Sequence, residues 1–496
     1  MLTDFIEKLT LNYARLKHST VFGILFLISF FIRLPFFFRD YIDRDESTFI
    51  LMGQSWVEGH LPYTELWDLK PPVTYLFLAG IIYVFGKSFI AIRLVGALVV
   101  AVTAFYTYKI SLTCTTKKVG LWAAIGCVML LSMFGSLQGV MSEHICMLFF
   151  MPALYLLMTK KGVLWYILSG ILMGLSLMTK LNLAYVVVAL GMYLLFVHFK
   201  NQKYGTGLLK ALFFGIGIVL VIFLTFLPYY LSQYPEVWWK SVVLASLEYA
   251  GARRYSILGF LPITLIIGAF LYFSWKQNYL DFKNHSIKWL VLTVGIIIFS
   301  FIKGGRINGH YLIQFHPIFM VLFAIFVSRI PHLKKWNYRP YAFFLLLLMP
   351  AESYLEYGNI IKTKVTRGTF FNGEGITVPN YIREQQIDTK NILFLGYHIG
   401  YWGLDAKPPV QSATHPSNIC RNELFRFYDN PRKTAVEELK YIMEEIQPRT
   451  VVIRKNRSIF DPQLVEENAY INARLKNDYA APITVDMAEI YVKKTR

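Results

Sequence analysis

The sequence predicts a polytopic α-helical membrane protein carrying a small extracytoplasmic α/β domain at its C-terminal end. Three observations point there. The 496 residues are 55% hydrophobic and 17% aromatic with only 16% charged, and the mean hydropathy is +0.44, too apolar for a chain whose solvent is water. Apolar runs of spanning length recur from residue 19 to residue 352. The basic residues between those runs fall in alternate short loops, the pattern that orients a membrane protein.

A spanning helix needs about 20 mostly apolar residues, because hydrocarbon offers no partner for an unpaired backbone group. Runs that meet this lie near 19–38, 88–112, 119–138, 142–159, 163–179, 181–199, 209–230, 256–275, 287–303, 310–328 and 338–352, giving about eleven helices. The stretch from Pro71 to Gly86 is shorter and opens on a double proline. If it stays at the interface, the loops holding Lys117 and Lys118, Lys160 and Lys161, Lys200, Lys203 and Lys210, Lys276, Lys283 and Lys288, and Arg329, Lys334, Lys335 and Arg339 all share the cytoplasmic side with the N-terminus. If it crosses, nearly all of that charge moves outside. It is therefore taken as juxtamembrane, and the first span, with no small-residue cleavage site after it, as an uncleaved helix.

The net charge of +19 does not indicate nucleic acid. Residues 1–352 hold 30 Lys and Arg against 14 Asp and Glu, and 353–496 hold 20 against 17, so the excess belongs to the hydrophobic part. The last span then exits outward, dividing the chain into a transmembrane catalytic domain, 1–352, with its first outer loop at 39–87, and a soluble domain, 353–496. In the latter Asn391–His398, Arg449–Lys455 and Glu489–Lys494 read as strands, while Val378–Gln386 and Thr434–Ile446 carry helical spacing. The alternation suggests an α/β domain. Four scattered cysteines give neither metal spacing nor a disulfide framework.

Half of the acidic residues of 1–352 crowd into the first outer loop: Asp40, Asp43, Asp45, Glu46, Glu58, Glu65 and Asp68. Carboxylates are costly near hydrocarbon, so their concentration calls for a reason beyond a hydrophilic loop. Phe49, Met52 and Trp56 follow at helical spacing, predicting an amphipathic helix on the membrane surface with Asp45 and Glu46 at its start. The helix dipole favours the anion there, which suits a base or a metal ligand, although capping explains one of the two acids equally well. Downstream, Pro71 and Pro72 fix the chain direction just after Asp68 and Lys70, which can be held beside the acidic pair.

Between Leu69 and Ala351 the only acids are Glu143, Glu236, Glu248 and Asp281. The topology puts Glu143, Lys180, Arg306, His310 and Tyr311 at outer ends of spans. Snorkelling accounts for any one of them. Together they converge with the acidic loop on one membrane face. Such a set suits sugar transfer from a lipid phosphate: a carboxylate deprotonates the acceptor hydroxyl while Lys or Arg stabilises the departing phosphate. A donor diffusing in the bilayer needs no nucleotide fold. No Walker A motif occurs, and Gly215-Ile216-Gly217 lies inside a span, where close helix packing explains it.

The order Asp45-Glu46, Asp68-x-Lys70-Pro71-Pro72, Ser142-Glu143, Gly174 to Thr179-Lys180, then Gly305-Arg306 to His310-Tyr311 resembles the polyprenyl-phosphate-dependent GT-C glycosyltransferases, which include protein O-mannosyltransferases and the aminoarabinose transferase of lipid A. Tyr381-Ile382-Arg383 through Asn391–Gly396 to Pro408-Pro409 is similar to the soluble tail of bacterial members. The resemblance implies a GT-C fold with juxtamembrane helices in the first outer loop, a catalytic Asp45 supported by Glu46, and a place in a bacterial inner membrane. Asp68 joins them as a catalytic candidate; Lys70, Arg306 and Lys180 are candidates for the donor phosphate, and Glu143, His310 and Tyr311 for substrate. In the aminoarabinose branch an acid directly precedes the Lys-Pro, whereas Leu69 intervenes here, which argues against that branch's activity.

The expected partners are a polyprenyl-phosphate-linked sugar donor, a lipid, protein or glycan acceptor and the membrane, with no nucleic acid. No cofactor is assigned, and a divalent metal stays open. Two other readings stand beside the inverting transferase: a multi-pass transporter or flippase, which would carry mid-membrane ionisable groups and often inverted repeats, and a polymerase or ligase of lipid-linked oligosaccharides.

Overall fold

The computed structural model describes residues 16–40, 42–251, 256–305, 308–331, 333, 345–428 and 430–494. The chain forms two compact units, each assembled from separate stretches. One comprises Met1–Pro35, Arg93–Thr225 and Ala252–Glu356; the other comprises Phe36–Ile92, Phe226–Gly251 and Tyr357–Arg496.

The first unit is built from apolar helices. Among the described residues seven helices of the chain are long and apolar enough to cross a membrane: His18–Phe38, Phe89–Ser111, Ser142–Thr159, Leu181–Lys200, Tyr204–Leu231, Ile257–Lys276 and His285–Gly304. These coincide with seven of the expected runs. Three more fall on shorter helices, Lys117–Leu130, Val163–Leu177 and His316–Arg329. The run at 338–352 lies largely outside the described residues. The core is a continuous cluster that includes Val100, Ala104, Leu121, Met147, Phe150, Leu154, Leu290 and Ile297.

Helices in lipid associate through close packing rather than through expulsion of water, which makes small residues valuable at their contacts. Gly217 shows this: a Cβ there would overlap the carbonyl of Ile167 and the backbone of Gly170 on the neighbouring helix. Gly215 has open space around it. Helix packing therefore accounts for the Gly-Ile-Gly sequence through its second glycine alone.

The second unit joins the loop after the first span to the C-terminal region. Its sheet holds four strands, β1 (Leu393–Phe394), β2 (Thr450–Arg454), β3 (Ile483–Val485) and β4 (Ala488–Val492), in the order β1-β2-β4-β3. β1 pairs parallel with β2, Leu393 opposite Val451; β4 runs antiparallel to β2, Ile490 opposite Val452, and to β3, Glu489 opposite Thr484. Leu393, Leu395, Leu439, Ile442, Val451, Ile453, Ile471 and Leu475 form its core.

Two of the strands match expectation, and Val378–Gln386 corresponds to the helix Glu374–Glu384. Thr434 caps the helix Ala435–Lys440 by accepting from Glu437 N at 3.2 Å, and the turn then widens into a π-helix over Tyr441–Ile446. Asn391–His398 departs from expectation, because only Leu393–Phe394 stay in the ladder. Tyr397 adopts φ 55, which turns the chain into the short helix Gly400–Leu404. His398 thereby leaves the strand register.

The first loop is stitched to the C-terminal region along its length. Trp67 N donates to Gln411 O at 2.6 Å and Trp67 O accepts from Ala413 N at 2.9 Å. The Trp67 ring lies 4.8 Å from Tyr428, and its Nε1 donates to Ser241 Oγ at 3.0 Å. Asp40 accepts from Gly375 N at the start of Glu374–Glu384, whose own first position offers no capping side chain. Any side chain at Gly375 would collide with that carboxylate.

Candidate active site

The acidic pair lies where a helix begins. The helix Arg44–Val57 is capped by Asp43, whose Oδ1 accepts from Asp45 N at 2.8 Å. Capping thus belongs to Asp43, and it explains neither Asp45 nor Glu46, both in the first turn. The helix matches the expected one in position, but it is buried on most of its faces, Ser47 to Gly53 included, instead of presenting a single apolar stripe. C-terminal residues of the same unit supply part of the cover: Trp402 Nε1 donates to Gln54 Oε1 at 3.0 Å, and Thr48 contacts His398 and Thr414.

Asp45 keeps about 30% of its side chain exposed, and Lys70 Nζ lies 3.5 Å from its Oδ2. Glu46 is buried. The Lys70 ammonium also sits 5.5 Å from the Phe49 ring centroid, within cation–π range. Its backbone is held at both ends: Tyr63 OH donates to Lys70 O at 2.5 Å, and Lys70 N donates to Tyr75 OH at 3.1 Å with Asp68 Oδ2 at 3.4 Å. Pro72 follows as the first residue of the helix Pro72–Phe85. The Lys-Pro-Pro turn therefore does what its sequence implies, placing the lysine against the acidic helix end.

Asp68 is surrounded by donors. Its Oδ1 accepts from Thr414 Oγ1 at 2.8 Å and Asn418 Nδ2 at 3.3 Å, and its Oδ2 accepts from Tyr75 OH at 3.0 Å. With Lys70 N, four donors occupy a buried carboxylate, which makes it the organising centre of the loop.

The remaining expected residues meet in the other unit. Glu143, in the first turn of Ser142–Thr159, accepts from Lys180 Nζ and from Ser142 Oγ at 3.0 Å, with His310 Nε2 3.7 Å away. Lys180 Nζ sits 4.3 Å from the Tyr311 ring centroid. Three separate segments thus bring Glu143, Lys180, His310 and Tyr311 into one cluster. A mutual pair between Asn182 and Gln314, at 2.8 and 3.1 Å, holds two of those segments together. Arg33, fully buried, donates to Leu137 O at 2.6 Å and Gly139 O at 2.7 Å, tying the first span to the turn that precedes Ser142. Arg306 lies outside the described residues.

Among the described residues no three His, Cys, Asp or Glu side chains converge as a set that could hold a metal ion. Asp68 already receives four protein donors, and Glu143 is engaged by Lys180 and Ser142.

Sequence reading missed Thr48, His398, Thr414 and Asn418, which brace this loop, because nothing local marks residues about 350 positions away. Burial, helped by His415 and Arg44, holds His398 well below its usual value, and burial lowers His415 to about 4.

Comparison with known proteins agrees with this architecture. Residues 69–229 match the family described as dolichyl-phosphate-mannose-protein mannosyltransferase, a segment that opens at the Lys-Pro-Pro turn. No curated protein matches the sequence significantly. ArnT from Cupriavidus metallidurans bound to undecaprenyl phosphate is similar in structure, with a TM-score of 0.61 and 14% identity over 95% of this chain and 97% of that one. Its apo state gives 0.60 over the same shares. The archaeal oligosaccharyltransferase AglB from Archaeoglobus fulgidus, in complex with an inhibitory peptide and a dolichol-phosphate, has a TM-score of 0.47 and 12% identity over 96% of this chain and 74% of that one, a likeness too slight to carry an inference. The resemblance to polyprenyl-phosphate-dependent GT-C glycosyltransferases that the order of motifs implied is thus borne out, by a family match over 69–229 and by a shared fold over nearly the whole chain.

Proposed function

We propose that this protein transfers a sugar, with inversion, from a polyprenyl-phosphate carrier to an acceptor hydroxyl on the outer face of a bacterial inner membrane. The observation that carries the reading is the Asp45–Lys70 pair, 3.5 Å apart at the end of one loop. Asp45, partly exposed, takes the proton of the acceptor hydroxyl as its oxygen attacks the anomeric carbon. The bond from that carbon to the phosphate oxygen breaks on the opposite side, and the carrier leaves as polyprenyl phosphate. The charge it gathers is stabilised by Lys70.

Glu46 supports Asp45 at the helix start. Asp68 acts by holding the Lys70 backbone rather than by meeting substrate, since its oxygens are occupied by protein donors. Glu143, His310 and Tyr311 form the substrate-facing cluster with Lys180. The family name and the undecaprenyl phosphate bound by the structurally similar ArnT support a lipid phosphate as donor. The purified protein in liposomes, offered a panel of short-chain polyprenyl-phosphate hexoses and pentoses, should release polyprenyl phosphate in step with glycosylated acceptor; vectorial movement of intact donor without cleavage would favour a flippase instead.

A further inference from the structure

A line of hydrogen bonds runs from the C-terminal region into the first loop, and the carboxylate at its end fixes its direction. Asp68 accepts only, so Thr414 Oγ1, 2.8 Å from its Oδ1, must donate its single proton there. The Thr414 oxygen then receives Thr48 Oγ1 at 3.1 Å. Arg44 O, 3.0 Å from the same Thr48 hydroxyl, competes for that proton. With that proton on Thr414 or on Arg44 O, the Thr48 oxygen accepts from His398 Nε2, 3.0 Å away, when this nitrogen carries the ring proton. Asn418 Nδ2 reinforces the same Asp68 oxygen. All five side chains are buried.

The two ends of this line are the two halves of the site. Thr48 is one turn beyond Asp45 on the same helix, and the backbone N–H of Lys70 meets Tyr75 OH at 3.1 Å and Asp68 Oδ2 at 3.4 Å, with Tyr75 OH itself donating to Asp68. We infer that His398, Thr414 and Asn418 are positioning residues that set the separation of Asp45 and Lys70, which makes the C-terminal region part of the catalytic constellation and not an appendage. The inference rests on the reading of Asp45 as base and Lys70 as phosphate stabiliser. A displacement of about 1 Å between reacting groups slows a reaction by roughly a hundredfold, so a brace of this kind acts on turnover more than on affinity.

The test uses the full-length protein in detergent, with variants compared only where they elute as folded monodisperse protein, and reads two independent quantities. With a short-chain polyprenyl-phosphate sugar that the wild type turns over, Thr414→Val should lower kcat by roughly tenfold to a hundredfold and leave the donor KM within about twofold, while Thr414→Ser recovers most of the rate. His398→Gln, which keeps a donor near Nε2, should outperform His398→Leu. In hydrogen exchange, Thr414→Val should raise the rates of peptides covering residues 44–50 and 68–72, and Thr414→Ser should not. Thr414→Ala reads the same quantities if the valine variant does not fold. Folded variants lacking the hydroxyl that keep the wild-type kcat, or that leave those exchange rates unchanged, overturn the brace. A wild type that cleaves no donor in the panel overturns the transferase reading and the catalytic role of the brace with it, while the exchange data still decide whether the brace exists.

Discussion

Lys70 Nζ stands 3.5 Å from Asp45 Oδ2, and neither residue is placed by chance: Asp43 caps the helix that starts the acidic pair, and Asp68 with Tyr63 fixes the backbone that carries the lysine. The roles proposed for the two residues lead to outcomes that can be measured.

Replacing Lys70 separates catalysis from anchoring. A charge-assisted contact to phosphate contributes about 1.5–3 kcal/mol, so Lys70→Ala should slow transfer roughly ten- to a hundredfold. Lys70→Arg should restore little, because a planar fork does not replace a compact ammonium at a fixed distance. Steady-state kinetics with a short-chain donor would check this; near wild-type kcat/KM in Lys70→Ala would leave only a headgroup anchor.

Arg33 is a structural counterpart in the other unit. Its guanidinium satisfies the carbonyls of Leu137 and Gly139, and each buried acceptor left without a donor costs about 1–3 kcal/mol. Arg33→Met should therefore lower the unfolding temperature in detergent by several degrees and loosen the turn before Glu143. Unaltered thermal stability would show that the turn is held by other contacts.

The buried imidazoles of His398 and His415 give a pH dependence of stability. His415 falls from the ordinary 6.5 to about 4 because it is buried, and His398 is lowered in the same direction. Between these limits the unfolded chain binds more protons than the folded one. The stability they contribute is therefore present above about pH 6.5 and lost as pH falls toward about 4, with His415 accounting for about 3 kcal/mol. Unfolding temperatures measured from pH 7.5 to 4.5 should drop across that window, and less steeply in His415→Gln.

The loop charges predict an N-terminus in the cytoplasm and a C-terminal region outside. A reporter fused after Arg496 should be active only outside the cytoplasm; cytoplasmic activity would invert the placement of every site residue.

Much of this was legible in the sequence, for physical reasons that also mark where legibility ends. Spanning helices announce themselves by length and apolarity, and seven of the expected runs stand as long apolar helices. The Lys-Pro-Pro turn and the Asp-Glu pair were readable because proline geometry and helix-start chemistry are local. Convergence of Glu143, Lys180, His310 and Tyr311 was foreshadowed by their shared position at helix ends. By contrast, nothing local tells that Asp68 is filled by Thr414 and Asn418, or that Asp43 and not its neighbours caps the helix. The sequence places His398 in a strand because the apolar run Ile392–Leu395 precedes it, and the positive φ at Tyr397 that removes it carries no apolar signal.

The central claim is that Asp45 accepts the proton of the attacking hydroxyl, and Asp45→Asn tests it most directly, since the change is nearly isosteric and the side chain is partly exposed. Turnover of a polyprenyl-phosphate sugar by the purified variant should be abolished while its unfolding temperature and elution in detergent match the wild type, with Glu46→Gln milder. Folded Asp45→Asn protein that transfers sugar at the wild-type rate would contradict the account.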